Sequence, residues 1–235
     1  SNVASGYEAT NGGWTGFNGG TGGPQDSTNT RVNSSKSTTL PDGLIVTMGV
    51  LGNNLSLNAT NQTLAARGGT SSLFTDSSIA ASTGVQMWTE DYNCDYSQQT
   101  VTICDNQGTL RISFSRPVTN PTLSFAGLGG GASWTSNGTL TSQTVTWTEL
   151  TMLTSGVTFA PVGGSTNMTL TNGDTRIVPT VNNPSSSCSA NVGTYATTAF
   201  AVCGSVKLIG TGDTFDISTS IGVRNSVGTC YNHWG

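Results

Sequence analysis

Apolar side chains in this chain come in short runs that alternate with hydroxyl and amide residues. Gly108-Thr109-Leu110-Arg111-Ile112-Ser113-Phe114-Ser115 repeats at period two, the spacing of a strand with one buried face, and predicts Leu110, Ile112 and Phe114 pointing inward. Leu44 to Val50 reads as an earlier strand. Thr122 to Ala126, Thr139 to Thr148, Val157 to Ala160, Asn167 to Thr171, Arg176 to Val181, Ala199 to Ile209 and Thr214 to Val223 read as later ones. Arg116-Pro117 and Asn120-Pro121 are expected to punctuate a turn, and Gly127 to Gly131 to form a glycine-rich loop. Val206 to Ile209 and the alternating run from Phe215 to Val223 flank Gly210-Thr211-Gly212-Asp213. That pattern predicts a closing hairpin whose two strands are sheet neighbours. Leu64-Ala65-Ala66-Arg67 offers a single helical turn at most, because Gly68 and Gly69 stop it. Eight or more short strands separated by Gly, Pro and Asn imply an all-β fold, an antiparallel β-sandwich of jelly-roll or Greek-key type.

The first 40 residues depart from this grammar. Seven glycines between Gly12 and Gly23 interrupt Trp14 and Phe17, and the polar run from Asp26 to Thr39 offers almost nothing to bury. Residues 1–40 are therefore expected to be a Gly/Ser/Thr/Asn-rich arm, and residues 41–235 a single sandwich domain. The arm is either a flexible extension or a segment for self-assembly, its aromatics docking on the sandwich or its backbone adding a strand to a neighbour's sheet edge.

Composition narrows the function. Charged residues are 9% of the chain, against about 25% in ordinary soluble domains, while Ser and Thr number 69 and Gly 31. Acid/base catalysis and metal capture need clusters of ionisable groups, and this chain holds three Glu and one His. A net charge of −4 lacks the basic footprint that draws a protein to nucleic acid or anionic lipid. No stretch approaches the roughly 18 apolar residues of a membrane span, so no membrane insertion is expected. No leader or wall anchor is legible, so a secreted chain would be a mature piece.

The five cysteines, Cys94, Cys104, Cys188, Cys203 and Cys230, include no CxxC pair, which favours disulfides over zinc. Cys94/Cys104 and Cys188/Cys203 are the close pairs, and loops that short stabilise by up to about 3 kcal/mol. Spacing alone does not fix connectivity, and Cys230 is free, paired elsewhere or a sign of a different pattern. Disulfides place the chain in an oxidising compartment, as a secreted or cell-surface protein.

The run from Gly108 to Pro121 with Leu123-Ser124-Phe125-Ala126-Gly127-Leu128-Gly129-Gly130, and Cys203-Gly204-Ser205-Val206 ahead of a Gly-Thr turn and Phe215-Asp216, resembles non-catalytic β-sandwich domains of large secreted or wall-attached surface proteins of Gram-positive, particularly actinobacterial, bacteria. The resemblance covers about a third of the chain and rests on strand and turn patterns. It implies an adhesin-like or stalk module and supplies no catalytic residues.

Candidate chemistry is sparse. Glu90, Asp91, Asp95 and Asp105 surround Cys94 and Cys104, with Asn93 and Asn106 beside them, so a structural calcium ion is the one cofactor these oxygens would suit. A merely solvated loop is the preferred explanation, since the spacing is not that of an EF-hand. A glycosidase would need two facing carboxyls, for which Glu90 and Glu149 are the candidates. A serine triad would need His233, which sits in the terminal Tyr231-Asn232-His233-Trp234-Gly235, a position expected to fray, and there is no GxSxG. For a sugar ligand, Trp134, Tyr92 and Tyr96 are the candidate stacking residues, while Trp88 and Trp147 sit among apolar neighbours and read as core. Lys36 and Lys207 are the only lysines for an isopeptide bond, with Lys207 expected to face solvent. A thioester between Gln86 and Cys230 is conceivable, although the residue order is unusual. Six N-x-S/T triplets match what chance predicts for this composition.

These readings converge on a non-catalytic extracellular adhesive or structural module of a bacterial surface protein or filament. Its partner would be a glycan or protein on a host or neighbouring cell. A carbohydrate-binding module and a glycoside hydrolase using Glu90 and Glu149 are the alternatives.

Overall fold

The computed structural model describes residues 35–52, 55–64, 74, 83–89, 100–137, 139–180 and 202–227. Among them there is no helix, and every strand pairing is antiparallel. β1 (Ser35–Thr39) and β2 (Ile45–Leu51) open a sheet; β3 (Leu55–Thr63) and β4 (Thr83–Thr89) pair only with each other. The long strands β5 (Thr102–Thr119), β6 (Thr122–Ser136) and β7 (Thr139–Met152) are followed by β8 (Thr158–Asn167) and by β9 (Thr169–Thr171) and β10 (Arg176–Val178), a short hairpin. β11 (Val202–Ile209) and β12 (Thr211–Val227) complete the set. The order across the main sheet is β1-β2-β5-β12-β7-β6-β11-β8, with β10 also attached to β7.

Alternation puts every second side chain into one buried cluster. Val46, Met48 and Val50 of β2, Leu110, Ile112 and Phe114 of β5, Leu150 and Met152 of β7, and Phe215 and Ile217 of β12 meet Leu123 and Phe125 of β6, Phe159 of β8, and Val206 and Leu208 of β11. The inward triad expected in β5 is therefore in place. Phe114 and Phe215 pack edge to face at 6.0 Å and 86°, the arrangement that ring quadrupoles favour.

Several sequence expectations are corrected. The predicted last hairpin does not form: β11 pairs with β6 and β8, and β12 with β5 and β7. Only Gly210 separates the two strands, and the chain changes partners there. The glycine run is strand, because β6 continues through Gly127 to Gly131; Gly127 takes φ +64° at the register shift in the β11 ladder, just before β7 becomes the partner at Gly129. Arg116-Pro117 is not a turn either. Between Val118 opposite Gly212 and Ser113 opposite Thr214 the ladder shifts register, and an irregular stretch is where a strand tolerates proline. Asn120 does turn, at φ +50°. The expected strands Val157–Ala160 and Asn167–Thr171 become one longer β8 and a three-residue β9. Finally, Ser35–Thr39 pairs with β2, with Lys36 and Thr38 buried, so the sheet starts inside the stretch assigned to the arm.

Gly108 is required by close approach. A Cβ there would lie 2.7 Å from the Cβ of Leu55, which is itself 1% exposed. Gly108→Ala should therefore cost about 1–3 kcal/mol in urea unfolding, and Phe215→Ala about 3–5 kcal/mol, both without change in the far-ultraviolet β signature.

Candidate functional site

The densest constellation of chemical groups among the described residues lies on the face of β7 away from the core. Leu150 and Met152 point into the core, so Trp147, Glu149 and Thr151 point the other way. Opposite them on β12 stand Gly222, Ser220 and Ser218. Trp147 also faces Gly129 across β6. A Cβ at residue 222 would overlap the indole, so glycine is what lets Trp147 lie across its neighbour. The ring is buried.

Glu149 is 6% exposed, and its carboxylate is occupied on both oxygens. Trp147 Nε1 donates to Oε1 at 2.9 Å; Arg176 donates to Oε2 from Nε at 2.9 Å and from Nη2 at 2.7 Å. The antiparallel register of β10 on β7 sets Arg176 opposite Thr151 and so delivers the guanidinium to this face. Arg176 Nη2 also reaches Asp105 Oδ1 at 3.2 Å, and Ser220 Oγ donates to the same oxygen at 2.8 Å.

Asp105 gets there through a bulge. Gly108 pairs with Thr219 and Cys104 with Ile221, so Asp105, Asn106 and Gln107 occupy the length that Ser220 alone occupies on β12. Bulges of this kind re-aim a side chain. Asn106 turns the backbone at φ +56°. The Gln107 amide donates to the carbonyls of Cys104 and Asp105 at 3.1 and 3.0 Å, and Ser218 Oγ contacts Asn106 Oδ1 at 3.4 Å.

Burial of Arg176 works against its charge, but the hydrogen bonds and attraction of Glu149, and then of Asp105, outweigh it and raise its pKa. A raised folded pKa gives stability that is fully present below the unfolded value and is lost only as pH climbs through the folded one. The guanidinium therefore keeps its charge across the whole physiological range. The cluster is suited to holding β5, β7, β10 and β12 together, with Glu149 buried under three donors.

The other predicted residues fare as follows. Glu90, Asp91, Tyr92, Cys94, Asp95, Tyr96 and Cys188 lie outside the described residues, as does Cys230. Asp105 faces a guanidinium, so a calcium ion here would share its carboxylate with a cation; among the described residues no group of three or more His, Cys, Asp or Glu converges. Trp134 lies in β6 opposite Ser142, beside a register shift, in strand rather than after a loop. Trp147, expected in the core, is buried on the opposite face. Cys104 and Cys203 are both disulfide-bonded. Lys36 is buried on the core side of β1 opposite Met48, and Lys207 on β11 is half-buried. Arg176 and Ser220 were missed, although Trp147 and Glu149, two apart in a strand, already shared a face.

No protein-family model, no curated protein and no solved structure matches the chain.

Arg176→Met should destabilise the fold by about 3–5 kcal/mol, since it leaves Glu149 buried and unpaired; adding Glu149→Gln should recover most of the loss in a urea titration. Burial lowers the pKa of Lys36. The folded state then binds fewer protons than the unfolded chain between that lowered value and 10.5, so stability should rise with pH across this window. Lys36→Met should remove that slope when unfolding is followed from neutral to alkaline pH.

Proposed function

We propose that the chain is a non-catalytic module outside the cell, an adhesive or structural part of a surface protein or filament, framed as an antiparallel β-sandwich. The observation that carries this reading is the closed Glu149 cluster: the densest ionisable groups among the described residues are bonded to one another across four strands rather than presented to a substrate. Two further features support it. Strands from both ends of the sheet path contribute to a single core, as two facing layers do. Cys104 and Cys203 are oxidised, in keeping with an extracellular compartment. In this reading Cys94–Cys104 anchors the bulge that carries Asp105, and Cys188–Cys203 staples the start of β11.

The test is made on chain isolated from its native source with thiols blocked at lysis. Peptide mapping should recover linked Cys94/Cys104 and Cys188/Cys203 fragments, and protease added to intact cells should remove the chain unless it has already been shed to the medium. Free thiols at all four positions, together with full protection from external protease, would overturn the proposal.

A further inference from the structure

We propose that the open half of the sheet's outer face, across β1, β2, β5 and the start of β12, binds a neutral polysaccharide chain; this rests on the outward-facing role above and names its partner class.

The outer face has two halves. Toward β7 it is closed, with Ser218 and Ser220 at 6% and 2% exposure. Toward β1 it is more open, with Arg111 exposed and Ser35, Ser37, Thr47, Ser113, Thr214 and Asp216 half-buried, and the register lines its residues into transverse rows. Ser37, Thr47, Ser113 and Thr214 are successive partners across four strands. The next row is Ser35, Gly49, Arg111 and Asp216. Neighbours within a row are about 4.8 Å apart, and rows are about 6.8 Å apart. The face is thus a lattice of hydroxyls: Ser37 Oγ and Thr47 Oγ1 bond each other at 2.8 Å, Thr214 Oγ1 donates to Asp213 Oδ1 at 3.1 Å, and each oxygen keeps a lone pair with which to accept from a ligand.

Its charges and shape choose the ligand. Arg111 and Asp216 are joined by two bonds of 2.8 Å, Nε to Oδ1 and Nη2 to Oδ2, so the rows carry no net formal charge. Such a face gives no electrostatic preference for nucleic acid or an anionic membrane and complements a neutral partner. The paired groups still present guanidinium donors beside carboxylate lone pairs, an edge that suits adjacent sugar hydroxyls. Between Thr47 and Leu51, Gly49 leaves a gap in the lattice next to Arg111. Leu51, 36% exposed, borders that gap along β2, and Ile45, 43% exposed, lies beyond Thr47 on the same face; both offer apolar contact to the C–H faces of a sugar ring. The rows hold none of the aromatic anchors that centre a protein interface.

The test is a depletion assay of the full chain on insoluble cellulose, chitin and mannan, with carboxymethyl cellulose as the charged comparison. Retention is expected on at least one neutral polymer, falling by roughly tenfold in the triple variant Thr47→Val/Ser113→Ala/Thr214→Val. The pair Thr169→Val/Thr180→Val, on and beyond β9, should leave it unchanged. If the triple variant melts early, the exposed single variant Arg111→Gln replaces it with the same expectation. No retention on any neutral polymer, retention indifferent to these variants, or binding to the charged polymer alone would overturn the inference. So would a dimer in sedimentation that the triple variant abolishes, since a second copy would then cover the face. None of these results alters disulfide mapping or protease accessibility, so the wider reading stands or falls separately.

Discussion

A shared corner governs this fold. Asn120 ends β5 and Gly210 ends β11, and the two are bonded reciprocally: the Asn120 amide donates to the Gly210 carbonyl at 2.8 Å, and the Gly210 amide donates to Asn120 Oδ1 at 2.9 Å. Leu208 donates to the Pro121 carbonyl at 2.9 Å alongside them. Two chain crossings thus meet at one place, β5 to β6 and β11 to β12. Had either turned back as a hairpin, its strands would be sheet neighbours, and Leu123, Phe125, Val206 and Leu208 would have lost the placement that lets them share one buried cluster with Phe114 and Phe215. The backbone groups freed at each crossing must be satisfied, and each crossing supplies partners to the other. Val157 closes the corner by packing where a side chain at Gly210 would lie.

The shortage of charge has a structural counterpart. A buried carboxylate alone costs several kcal/mol, and Glu149 avoids that cost because three donors from two residues converge on it. Those donors come from β7 itself and from β10, and Asp105 and Ser220 extend the network to β5 and β12. Arg111 with Asp216 repeats the pairing on the open surface, where it adds less, exposed pairs contributing up to about 1 kcal/mol. Arg116 with Asp42 is a third pair, at the end of the sheet. Among the described residues most charged side chains answer one another, while hydroxyls stand both on the outer face and in the interior, where Ser124 and Ser205 bond each other at 2.7 Å.

Glycine has a consistent part in this arrangement. Gly222 and Gly129 flank Trp147 in register, and the indole fills the place of the side chain missing at Gly222. Gly108 admits Leu55 to the core, and Gly49 opens the hydroxyl lattice. A stretch rich in glycine looks like loop because backbone freedom is high there. In these strands it marks close approach by a larger neighbour instead.

What the chain determines by itself is its strand content and the inward or outward sense of each residue, because side chains alternate along a strand whatever lies beside it. Leu110, Ile112 and Phe114 were legible for that reason, and so was the shared face of Trp147 and Glu149. Which strands become neighbours is decided only in three dimensions. Period two is identical for a hairpin and for a crossing, so Gly210-Thr211-Gly212-Asp213 carried no sign that β11 and β12 part company. The bonds from Ser220 to Asp105 and from Arg111 to Asp216 join residues 115 and 105 positions apart, separations at which no local pattern constrains partners. Sheet register brings such residues together, and register follows from packing one apolar face against another.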